Sequence, residues 1–177
     1  MGIPTLITTN TLTGAAASAF TSSIDSTYDE YMFVFTDIGP SANGVTFRFQ
    51  VSIDGGSNYN VAITSTHIDV DHREDGSNGS IQHGGGQGQG TAYEELLINI
   101  GNASDESAAG ILHLFGPSST TYMKQFFSRG SVYHGLDDGN YQLFTAGYIN
   151  TTSAVNAINF KIDSGTFDGV IQMYGIA

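Results

Sequence analysis

From Val45 to Ile53 apolar side chains fall on every second residue: Val45, Phe47, Phe49, Val51 and Ile53, against Thr46, Arg48, Gln50 and Ser52. An unbroken period of two puts one residue set on each face of an extended chain, so this segment reads as a half-buried antiparallel strand. Such a strand cannot stand alone. It needs neighbours for its backbone groups and a second layer over its apolar face. Asp54-Gly55-Gly56-Ser57-Asn58 then reads as a turn leading back into Tyr59–Ile63. Upstream, Tyr31, Phe33 and Phe35 alternate with Met32 and Val34, so both faces of Tyr28–Ile38 are expected to be covered.

The same rhythm continues along the chain. Tyr93–Ile100, Gly110–Phe115, Tyr122–Tyr133, Tyr141–Ile149, Ala157–Ile162 and Gly169–Ile176 read as strands separated by Gly-, Asn- and Asp-rich turns. Asp69 to Gly90 is glycine-rich and reads as a long loop carrying one short strand. The sum is about ten strands with no convincing helix and no internal repeat. The expected fold is all-β, an antiparallel, jelly-roll-like β-sandwich. Residues 1–19 read as an N-terminal arm and 20–177 as one β-sandwich domain. A domain of this length buries roughly 70% of its unfolded surface.

Charge narrows the function. Seventeen acids face five bases, for a formal charge of −12. Arg48, Arg73, Lys124, Arg129 and Lys161 are scattered and form no patch able to neutralise phosphates, so no nucleic acid is expected as a partner. An acidic body is repelled by anionic membranes, and no apolar run approaches the roughly 20 residues of a helical span, so no membrane partner is expected. Met1-Gly2-Ile3-Pro4-Thr5 lacks the basic and apolar regions of a secretory signal. Without cysteine there is no disulfide, thiol nucleophile or thiolate-held metal.

Few constellations suggest chemistry. His67, Asp69 and Asp71 would share one face of a strand, and imidazole with carboxylates suits zinc or manganese. A solvated strand end running into a turn explains the same residues. Asp137-Asp138-Gly139-Asn140 and Asp163-Ser164-Gly165 lack the full calcium-loop pattern and fit hairpin turns. The glycines of 84–90 have no Lys-Ser/Thr after them and no following helix, so a phosphate cradle is not expected. No G-x-S-x-G elbow is present. His113 lies opposite the face of Leu112 and Leu114, where an outward or interface role fits better than that of a base. The expectation is a protein with no cofactor, no metal site and no enzymatic activity.

Surface contact remains. Phenylalanine and tyrosine together number twenty, more than one sandwich core needs. Adjacent residues on a strand point to opposite faces, so one of Phe126-Phe127 and one of Tyr133-His134 must leave the core. These four are candidate interface residues, where aromatics are enriched. A further layer of the same chain covering both faces is the alternative. Ile3, Leu6 and Leu12 are candidates on the arm, which would pair along a neighbour's sheet edge.

Several segments resemble a family of small virion proteins of tailed phages, frequent in marine phages. They are 22–31 (Ser22-Ser23-Ile24-Asp25 through Tyr31), 49–57 (Phe49-Gln50-Val51-Ser52-Ile53-Asp54-Gly55-Gly56-Ser57) and 112–122 (Leu112-His113-Leu114-Phe115-Gly116-Pro117 through Tyr122). Two more are 146–154 (Ala146-Gly147-Tyr148-Ile149-Asn150 through Ala154) and 164–175 (Ser164-Gly165-Thr166-Phe167 through Gly175). The motifs carry strands and turns, and no functional residue follows from them. The resemblance implies a structural protein located in the virion and assembled in the host cytoplasm. A capsid decoration, or cement, protein is expected, most simply a homotrimer bound to the major capsid protein or other virion proteins. A start at Met1 without a separate attachment domain agrees with that reading. A tail-fibre or head-fibre component touching the host surface is the alternative.

Overall fold

The computed structural model describes residues 2–177; Met1, the first residue of the expected arm, lies outside them. The elements are β1 (Thr5–Ala15), β2 (Ala17–Phe20), β3 (Glu30–Pro40), β4 (Val45–Ser52), β5 (Ile63–Arg73) and β6 (Gly79–His83). They continue with β7 (Glu94–Ile100), β8 (Ala108–Phe115), β9 (Lys124–His134), β10 (Gly139–Ile149), β11 (Ala157–Ile162) and β12 (Phe167–Ile176). Among the described residues there is no helix, and every strand pairing is antiparallel. The all-β expectation holds, with twelve strands rather than ten.

The strands form one sheet that turns back on itself, nearly closed into a barrel. One run is β1-β12-β3-β8-β9-β10-β5-β6 and the other is β7-β4-β11-β2. They meet where Ile100 of β7 pairs His134 of β9. Rings from both runs converge inside. Phe160 of β11 stacks on Phe47 of β4 at 5.7 Å and meets Phe33 and Phe35 of β3 at 5.3 and 5.2 Å. Phe20 and Phe167 close this cluster from β2 and β12. Phe47, Phe49, Val51, Leu112, Leu114, Ile158 and Phe160 are all fully buried, as their alternation requires.

Two departures from the sequence reading have physical causes. Residues 5–19, expected as part of an arm reaching a neighbour, lie with Phe20 along the chain's own sheet: β1 pairs β12 and, after a bend at Ala16, β2 pairs β11. The segment thereby covers edge strands of both runs. Its threonines and alanines gave no apolar period, because a strand at a sheet edge buries little; main-chain pairing holds it there.

The second departure is β5, expected over Tyr59–Ile63 but found over Ile63–Arg73. Its buried side carries His67, Asp69 and Asp71, while Ile68 faces outward, 38% exposed. Reading apolar residues as inward-facing fails on a strand whose polarity is inverted.

Candidate functional site

That inverted strand creates the most distinctive surface of the molecule. On the outer face of β3, β8, β9, β10 and β5, strand register aligns two rows of side chains. One runs Val34, Ile111, Arg129, Phe144, Ile68. The other runs Met32, His113, Phe127, Ala146, Thr66. Neither row contains a carboxylate, on a chain that carries seventeen. Phe127 and Phe144 are 42% and 40% exposed. With Ile68, Thr66, Ala146 and Arg129 they line an almost wholly apolar depression of about 340 Å³.

The polar groups of this face are few and fixed. His113 stacks on Phe127 at 4.5 Å, and its Nδ1 contacts the Glu30 carboxylate at the margin. The Arg129 guanidinium lies over the Phe144 ring at 5.5 Å, and Arg129 donates to Gln142 Oε1 at 3.4 Å. The other cations are engaged elsewhere. Arg48 pairs with Glu95 and Asp163, and Arg73 with Asp137. Lys161 sits over Tyr93 at 4.1 Å. Lys124 is fully buried and donates to the carbonyls of Ser119, Tyr122 and Thr151. Burial holds the Lys124 ammonium below its ordinary pKa. Arg129 therefore stands as the one cation on this face, with no carboxylate partner among the described residues.

The expected interface residues divide. Phe127 points out, and its neighbour Phe126 is buried against Phe49 at 5.1 Å. Tyr133 is half-buried on the outer side, while His134 is buried and stacks on Tyr141 at 3.9 Å. So Phe126 and His134 are core residues of this chain, because β9 alternates strictly and each pair contributes one ring inward. Of the arm residues, Ile3 and Leu6 are exposed, at 88% and 50%, while Leu12 packs against the chain's own core. Arg129, Phe144 and Ile68 were missed. Leu143-Phe144 carries the same adjacent-residue signal as Phe126-Phe127, but Ile68 was hidden inside an apparently polar run.

That polar run lies on the opposite, buried side. Thr145 Oγ1 lies 2.9 Å from His67 Nδ1 and 3.2 Å from Glu95 O. His67 Nε2 is buried without a hydrogen-bond partner. Burial holds the His67 pKa below its ordinary value, against the opposing pull of Asp69 and Glu95. Asp71 accepts from Ser80 Oγ and Asn78 Nδ2. Among the described residues no three His, Asp or Glu side chains are arranged to hold a metal ion. At the end of the same inner face, burial and a hydrogen bond to Asp137 push the Tyr141 phenol up to about 12.

Comparison with known proteins adds one relative. Outer membrane protein SlpA of Deinococcus radiodurans is 31% identical over 111 residues, covering 58% of this chain. The chain spans about a tenth of that protein's length, the matched part being 10% of it. No family model and no solved structure matches the chain. The likeness to SlpA is thus one of sequence, to a small portion of that protein.

Proposed function

We propose that the chain is a structural protein of a phage virion, a capsid decoration protein that binds the outer head surface and has no catalytic role. The observation that carries the reading is the pair of aromatic and aliphatic rows on the outer face, neither of which contains a carboxylate, the composition of a protein-contact surface. The resemblance of the strand-and-turn motifs to small virion proteins supports the same assignment. In this reading the two runs of strands stack as a jelly-roll-like sandwich, and the protein acts as a homotrimer. Packaged DNA pushes the shell outward. A protein that binds only the assembled lattice stabilises it by mass action, with no chemistry required.

A second reading rests on the SlpA match: a β-module borne on a cell envelope, since that relative is named an outer membrane protein. Cryo-electron microscopy of virions, with quantitative mass spectrometry of virion and envelope fractions, separates the readings. Hundreds of copies on the head are expected. A few to dozens at the tail or on fibres would move the assignment to a fibre component. Recovery in the envelope alone would overturn the virion reading.

A further inference from the structure

We propose that the apolar depression around Arg129 receives a second copy of this chain, specifically the tip of its β9–β10 hairpin, in a head-to-tail contact. The inference does not rest on the virion reading. The hairpin tip carries Leu136, 62% exposed. Arg73, Glu74, Asp75, Asp137 and Asp138 line the surface beside it. Four of those five are acids, and only Asp137 is paired, to Arg73 at 2.9 Å. One part of the chain is therefore an apolar hollow with a single unpaired cation. Another is an apolar side chain ringed by carboxylates.

Charge complementarity selects this occupant. On a body of −12, most contacts between copies set carboxylate against carboxylate. Seating Leu136 between Phe127, Phe144 and Ile68 instead brings Glu74, Asp75 or Asp138 toward the Arg129 guanidinium. The depression contributes no carboxylate of its own. The contact would bury Phe127 and Phe144 around Arg129, and aromatics and arginine are enriched at interfaces.

The two surfaces are distinct. Phe144 and Asp138 lie roughly 20 Å apart along an extended strand, so one copy cannot fill its own depression. A contact between different patches is heterologous, and it closes into a ring when the rotation permits, a trimer among the possible rings.

The test uses the full chain and two variants at exposed positions. One disables the hollow, Arg129→Glu with Phe144→Ser. The other disables the tip, Leu136→Ser with Glu74→Lys and Asp138→Lys. Circular dichroism and melting first establish that each is folded. A variant that fails is replaced by its single serine substitution. Sedimentation equilibrium at micromolar concentration should show an assembled wild type and two monomeric variants. An equimolar mixture of the variants should form a dimer and stop there, because one intact hollow meets one intact tip. A monomeric wild type, or a variant that assembles as the wild type does, overturns the proposal. A mixture that stays monomeric overturns its head-to-tail geometry.

Discussion

Phe49 is fully buried and rests edge-on against Phe126. Phe49→Ala should cost on the order of 3–5 kcal/mol in urea unfolding; a cost below about 1 kcal/mol would mean the strand's faces are reversed. Gly130 is just as specific. A Cβ there would lie 2.1 Å from Cδ2 of the fully buried Leu97 and 3.1 Å from the Ala109 carbonyl oxygen. Gly130→Ala should cost about 1–3 kcal/mol by overpacking, partly recovered by Leu97→Val, as a double-mutant cycle would show. Lys124→Met would strand the carbonyls of Ser119, Tyr122 and Thr151, for a loss of at least about 2 kcal/mol. His67 links stability to pH. Its folded pKa is depressed by burial, so the unfolded chain binds the proton first. The stability contributed by neutral His67 is complete above about pH 6.5 and falls away as the pH drops below it. Urea midpoints measured between pH 7.5 and 5 should decline less steeply in His67→Gln than in the wild type; equal slopes would refute the assignment. Of these four residues, only Phe49 was recognisable from alternation. The roles of Gly130, Lys124 and His67 depend on neighbours from distant parts of the chain.

At the scale of elements, β1 and β2 reverse the expectation for the N-terminus. Deleting residues 1–18 from a free arm would leave the rest untouched. Here it would expose edges of β12 and β11 and remove Ile7 and Leu12 from the core margin. The truncated chain should melt at a clearly lower temperature and aggregate through its bare edges, read by scanning calorimetry and light scattering. Unchanged melting would restore the arm. The strands β3, β4, β7, β8, β10, β11 and β12 were legible because each carries large apolar residues on its inward side and ends in a turn, and β9 because its aromatic residues lie between turns, although its inward side includes Lys124, Ser128 and His134. β1 and β2 were not, since edge pairing uses main-chain groups that any sequence possesses. β5 was misplaced because its buried side is polar, satisfied in part by Thr145, Ser80 and Asn78. That inversion turns Ile68 outward, so the half of the candidate site built on β5 could not be read from the sequence.

For the whole molecule, the sheet order joins the ends of the chain: Thr5 pairs with Gly175, and Phe20 with Ile158. Loop closure over such separations precedes most of the stabilising contacts, so refolding should take milliseconds to seconds rather than microseconds, as followed by stopped-flow tyrosine fluorescence. Refolding within microseconds would mean that local hairpins alone nucleate the structure. Composition and alternation were enough to determine an all-β chain, its main strands, its aromatic core and its acidic, cysteine-free character, because these follow from local periodicity and residue counts. Which strands share an edge, which rings leave the core and where the single unpaired arginine lies among them were decided only in the tertiary structure. Those features arise from register between segments far apart in sequence, and register is set by the collective packing of the sheet against itself.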